Sequence, residues 1–348
     1  MSGNPASGRP SSGWSSTGSH PVPSPRTHPV PMRTGPPRPD MRGRTVLLLA
    51  AGIIVFLGYA GLLAWILSSR GLSSPGPLGL SLLAAAVPAQ WAAVWLFGEQ
   101  FRHGLAREDR HLRRRSAFRA ALLGAGVARL LPAGGAVTPV AMAWSARPEL
   151  PGTAGAAVRA TTLNYSGLLT GTGGVLVWIG LRERILPEAA GAATGVGAAL
   201  LGLGGLLTFG SSRLGSLVGR LPSRLRDRLA PAFCDQSLDP RTVGLLATRL
   251  ITEAAVLGLV LFAFGVRLTP AQVFAAFGMS QLAGGLPGTP GGLGFAEAGL
   301  IGALVVFAIP PEAGLAPTLV YRLISYWMPV AAGLVAGGAA FLEARRID

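Results

Sequence analysis

Long apolar runs separated by blocks of arginine leave this chain few ways to fold. Residues 45–67, 78–97, 160–181, 189–210, 243–264 and 315–342 are each long enough to cross about 30 Å of hydrocarbon at 1.5 Å per helical residue. Only 13% of the chain is charged, half is hydrophobic, and the mean hydropathy is +0.48. Soluble domains carry about 25% charge, and hydrocarbon penalises each charged side chain by several kcal/mol while tolerating Leu, Ala, Val and Gly. The sequence therefore predicts an all-α, polytopic integral membrane protein and argues against a water-soluble enzyme.

The net charge of +15 does not point to nucleic acid. The arginines lie in blocks between apolar runs, where the positive-inside rule accounts for them. Arg42 and Arg44 precede the first run, seven arginines from Arg102 to Arg119 follow the second, six from Arg213 to Arg241 precede the fifth, and Arg345 and Arg346 end the chain. Those segments are assigned to the cytoplasm, which puts both termini there and the chain in the cytoplasmic (plasma) membrane. Residues 1–40, rich in Pro, Ser and Gly, bury too little to offset ordering entropy and read as a disordered cytoplasmic tail ahead of a membrane domain at 41–348. That tail is also a poor match to a cleaved signal peptide, so the first run is expected to stay as an anchor. The single Cys234 excludes an internal disulfide, and four scattered histidines lack metal-ligand spacing. No cofactor is called for.

Two further apolar stretches are interrupted. Residues 118–144 contain Leu131-Pro132-Ala133-Gly134-Gly135, and residues 270–309 contain the Gly/Pro run from Gly284 to Gly292. Proline removes a backbone donor and glycine adds backbone freedom, so neither reads as one helix. Non-helical backbone survives at membrane depth only where protein or trapped water satisfies it. For all the arginine blocks to face the cytoplasm, the first broken stretch enters from the cytoplasm and the second from outside. The expectation is six full spans plus two oppositely oriented re-entrant hairpins in an inverted repeat. Eight plain spans with proline kinks keep the same orientation and remain the alternative.

Discontinuous helices at matching places in two halves point to a transporter-type site near the midplane. Pro287, Gly288, Pro290, Gly291 and Gly292 open a helix whose free N–H groups and dipole suit an anion such as a lipid phosphate. The competing reading is a turn whose amides the opposite hairpin satisfies. Glu297, in the first turns of that helix, either caps it or serves coupling or recognition. Arg249 and Glu253 share a helical face: either Arg249 snorkels with Glu253 as its partner, or its fork chelates phosphate. Arg322, within Tyr321-Arg322-Leu323-Ile324-Ser325-Tyr326-Trp327, presents the same choice, and the aromatics beside it also suit an interfacial belt. Arg129, with Gly134 and Gly135 after it, would complete a set of cations reaching toward the first break. The runs Gly171–Gly174 and Gly202–Gly205 lack phosphate-loop follow-on residues and read as helix-packing surfaces. No enzyme signature is present.

The Pro-Gly-Gly-Leu-Gly-x-x-Glu segment ending at Glu297, the Tyr-Arg-x-x-x-Tyr-Trp-x-Pro segment from Tyr321 to Pro329, and the Leu-Pro-x-Gly-Gly element at Leu131 together resemble the lysylphosphatidylglycerol synthase transmembrane family of flippase-like proteins, over about residues 42–345. The resemblance implies a membrane domain that moves or presents an aminoacylated phospholipid or polyprenyl-linked lipid, with the broken helices at its core. Relatives carry acidic and Arg residues after the first Gly pair, where this chain has Ala136-Val137-Thr138-Pro139. No soluble aminoacyltransferase domain is expected after the membrane part, so synthase activity is not carried over. The leading expectation is a transporter or flippase of an anionic phospholipid or polyprenyl-linked lipid. A second is a non-transporting partner that presents lipid to a separately encoded transferase or glycosyltransferase.

Overall fold

Proline and capping residues set where the helices begin. In the computed structural model, Pro77, Pro240, Pro270 and Pro311 each stand at the start of a helix, the one helical position where a missing N–H costs nothing. Asp239 adds a cap by accepting the Thr242 N–H at 2.7 Å, and Thr269 forms a reciprocal capping box with Gln272. The structure describes residues 75–131, 134–147, 149–150, 152–182, 187–209, 239–286 and 288–347, with scattered positions between 54 and 68. The expected tail, most of the first apolar run, the arginines from Arg213 to Arg228, and both Pro132 and Pro287 lie outside the described residues.

Ten α-helices cover most of what is described: α1 Pro77–Ala106, α2 Arg114–Leu130, α3 Gly134–Ala146, α4 Ala154–Arg182, α5 Pro187–Phe209, α6 Pro240–Ala263, α7 Pro270–Gly284, α8 Phe295–Val306, α9 Pro311–Arg322 and α10 Met328–Ile347. A short 3₁₀ turn, Pro290–Gly292, lies between α7 and α8, and a π-helical turn, Leu323–Trp327, joins α9 to α10. The chain is an all-helical polytopic membrane protein. Among the described residues, α1, the 189–208 part of α5, α6, and the run from Pro311 through Gly337 are long and apolar enough to cross a bilayer. The 29-residue α4 is long enough, but Arg159, Asn164 and several hydroxyl residues lower its hydropathy.

Both interrupted stretches are broken where the sequence places the breaks. The pair α2 and α3 folds back on itself, as does α7 with α8. Helices α1 and α6 run antiparallel: Gly79 at the start of α1 meets Ala263 at the end of α6, and His103 near the end of α1 lies 3.3 Å from Asp239. The first hairpin opens beside the end of α1, where Glu149 bonds Arg113 and Ser116. The second opens beside the end of α6, so the two point in opposite directions. Several packings have a counterpart: α2 lies on α10 as α7 lies on α4, and α3 on α4 as α8 on α9. These reciprocal pairs are the arrangement of an inverted repeat.

Two local features differ from the sequence expectation. Helix α1 continues nine residues beyond Phe97, because Glu99 and Arg102 pair at 2.7 Å and His103 engages Asp239, so polar residues are neutralised inside a longer helix. The last run is not one regular helix. Pro329 has no N–H to donate to the Ser325 carbonyl four residues earlier, and the helix widens into the π turn there.

The glycine run of α4 packs against α5 as expected. A Cβ on Gly197 would lie 2.7 Å from the Gly173 carbonyl and 2.8 Å from the Val177 nitrogen, whereas one on Gly195 would meet nothing within 4 Å. Gly197→Leu is expected to lower stability by about 1–3 kcal/mol through overpacking. Gly195→Ala on the same helix should leave it unchanged or raise it by up to about 1 kcal/mol. Thermal unfolding of both variants in detergent checks the contrast.

Candidate functional site

The two hairpin tips meet. The Gly291 N–H points at the Leu131 carbonyl at 3.5 Å, a long contact, while the Tyr326 hydroxyl donates to the Arg129 carbonyl. Gly291 has φ +58°, and a Cβ there would fall 2.2 Å from both the Arg129 oxygen and the Tyr326 hydroxyl. Only glycine allows so close an approach with that backbone. The carbonyl that Pro329 leaves without its helical partner is used as well: Ser325 O accepts from the Arg129 guanidinium at 3.1 Å. A proline-driven irregularity in one half thereby holds the cation of the other half.

Beside this junction is a polar cavity of about 160 Å³, lined among others by Arg129, Arg249, Glu253, Arg322, Asn164 and Gln281. Gly134, Gly135, Gly291 and Gly292 line it too. Most of the residues singled out from sequence are therefore brought together. Gly288 is absent from the lining, Pro290 contributes backbone to the 3₁₀ turn, and Pro287 lies outside the described residues.

Arg249 donates to Glu253 at 3.0 Å and to Asn164 Oδ1, with its guanidinium 4.2 Å above the Phe97 ring. Its Nε is buried without a partner among the described residues. This is no snorkelling side chain: it turns inward, because Glu253 and Asn164 supply what water would otherwise provide. Arg322 is 5% exposed, donates to Glu297 at 2.7 Å, and stacks 4.3 Å from the Tyr326 ring. The two cations share one construction, a guanidinium held between a carboxylate and an aromatic face.

Tyr321, Tyr326 and Trp327 are 2%, 2% and 4% exposed, which overturns the interfacial-belt reading. Tyr321 packs into the core from α9, and Tyr326 and Trp327 are buried within the π turn. Tyr59, from the first apolar run, stacks on Trp327 at 5.4 Å.

The Gly/Pro loop differs from the sequence expectation. Several of its amides are spent within the protein: Gly288 N–H on Leu286 O, Gly291 N–H toward Leu131 O, Gly292 N–H on Thr289 O, and Gly294 N–H on the Glu297 carboxylate at 2.7 Å. Glu297 both caps α8 and pairs with Arg322. Guanidinium groups, and not loop amides, make up the positive wall of the cavity.

Asn164, Tyr165 and Gln281 also line the cavity and were not singled out from sequence. The available signal was the polar pair Asn164-Tyr165 inside an apolar run and an amide three residues before Gly284, each expensive in hydrocarbon unless it faces protein or a cavity.

Removing Glu297 would leave the buried Arg322 unpaired, and breaking a buried ion pair costs about 3–5 kcal/mol. Glu297→Ala is expected to lower detergent-solubilised stability by at least about 3 kcal/mol, and Glu297→Gln, whose single amide oxygen can still accept from Gly294 or from Arg322, by less. Equal losses in the two would contradict this account of the pair.

Comparison with known proteins agrees with the motifs. An 85-residue segment is 38% identical to a UPF0104 membrane protein of Methanothermobacter thermautotrophicus, covering 24% of this chain and 25% of that relative. The chain thus matches about a quarter of that relative's length. The family described as "Lysylphosphatidylglycerol synthase TM region" matches residues 43–333, which includes both hairpins and all three cavity arginines, and the chain belongs to that family.

Proposed function

We propose that the protein moves an anionic lipid across the cytoplasmic membrane, acting as a transporter or flippase. The observation that carries this reading is the convergence of Arg129, Arg249 and Arg322 on one cavity where two oppositely directed broken hairpins meet. The hairpins are read as re-entrant, the first dipping in from the cytoplasm and the second from outside, with α4 completing the spans and both termini cytoplasmic. An anionic headgroup crossing hydrocarbon alone faces a barrier on the order of 10 kcal/mol or more. A cavity that offers guanidinium donors replaces its lost hydration and lowers that barrier. Leu131 and Leu286, both exposed, also border the cavity. They give acyl or prenyl chains an apolar exit while the headgroup stays inside.

Alternating exposure follows from rocking one half on the other around the shared site. The contacts that would exchange are those between the tips, namely Arg129 with Ser325 and Tyr326 with the Arg129 carbonyl. An incoming phosphate oxygen would compete with Glu253 for Arg249 and with Glu297 for Arg322, so headgroup binding and loosening of the tips are linked.

In vesicles reconstituted with the full chain, a labelled anionic phospholipid is expected to change leaflets in a protein-dependent way. Arg322→Ala should abolish the movement. Arg249→Lys, which keeps charge but loses the planar fork, should slow it at least tenfold. Unchanged movement in both variants contradicts the site. Lipid that is bound but never moved would replace transport by presentation to a separately encoded transferase.

A further inference from the structure

The charge and the neutral lining of the cavity select among anionic lipids. Three guanidinium groups, those of Arg129, Arg249 and Arg322, face or border it. Glu253 lines it and Glu297 is bonded to Arg322 behind it. With arginine always protonated and both carboxylates held in ion pairs, the site carries one positive charge in excess. Among the described residues no other charged side chain lines the cavity.

The rest of the polar wall is neutral. The Tyr165 hydroxyl and the Gln281 amide make no hydrogen bond to another described residue, and Asn164, whose carbonyl is taken by Arg249, keeps its amide N–H groups. These are donors and acceptors suited to alcohol groups.

We infer, resting on the lipid-transport reading above, that the headgroup is a phosphodiester with a single negative charge and a neutral, hydroxyl-bearing remainder, carried on a lipid. One negative charge matches the excess of the site. A diphosphate-linked lipid brings two or more, and the surplus would sit uncompensated in the cavity. An aminoacylated headgroup with a net positive charge meets a site that is already cationic. A zwitterionic headgroup brings the same phosphate charge but adds an ammonium where the wall offers neutral groups, so the excess positive charge of the site persists.

The test offers the purified full chain an equimolar mixture of phosphatidylglycerol, phosphatidylethanolamine, lysylphosphatidylglycerol and a polyprenyl diphosphate, and counts retained lipids by native mass spectrometry. Water-soluble glycerophosphoglycerol serves as a competitor. Phosphatidylglycerol is expected to be retained at least tenfold over each of the others. Gln281→Leu should narrow its advantage over phosphatidylethanolamine severalfold while the preference over the diphosphate lipid persists. Retention led by the diphosphate or the aminoacylated lipid overturns this inference and leaves the lipid-transport reading standing. Displacement by equimolar glycerophosphoglycerol overturns the lipid as the source of the headgroup. Retention of no lipid overturns both this inference and the reading on which it rests.

Discussion

The half-buried guanidinium of Arg129 is the interaction on which the site depends. It sits at the end of the helix that leads into the first break, yet it is held by a carbonyl of the other half, Ser325 O, while its own carbonyl takes the Tyr326 hydroxyl. Each of those partners exists because a helix is imperfect. Pro329 frees the Ser325 carbonyl, and the π turn brings Tyr326 to the tip. Irregular backbone is expensive in a membrane unless its polar groups are satisfied internally. The two halves solve that problem for one another, and the cavity is the space left where their tips meet.

Arg249 and Arg322 extend the same logic to side chains. Each is a cation taken out of water and compensated by a carboxylate and an aromatic ring, Glu253 with Phe97 and Glu297 with Tyr326. A buried pair of this kind rarely stabilises a fold more than apolar residues of similar volume would. On the lipid-transport proposal, two such pairs around one cavity would serve as stored capacity to bind an anion, an incoming phosphate taking over contacts that the carboxylates already hold. The unpartnered Nε of Arg249 belongs to the same picture.

Much of this was legible in the sequence. The apolar runs gave the helices, and the Gly/Pro clusters at Leu131–Gly135 and Gly284–Gly292 located both breaks, because composition and period act locally. The charged residues Arg129, Arg249, Glu253, Glu297 and Arg322 stood out because hydrocarbon makes each of them costly. What the sequence did not show was long-range. Nothing local says that the Gly291 and Gly294 amides are spent within the protein, that Tyr326 and Trp327 turn inward, or that Asn164 and Gln281 face the same space as Arg249. Those outcomes depend on which helices pack together, and α4 meets α6 and α7 only once the inverted halves have closed on one another.

The central claim is that the hairpins enter from opposite membrane faces and meet inside the protein. Single cysteines placed at Arg115, at the base of the first hairpin, and at Ala308, at the base of the second, in a Cys234→Ser background, test it directly on intact cells with a membrane-impermeant maleimide. The account predicts modification at position 308 and none at position 115 until the membrane is permeabilised. Modification of both positions from the same side would contradict it.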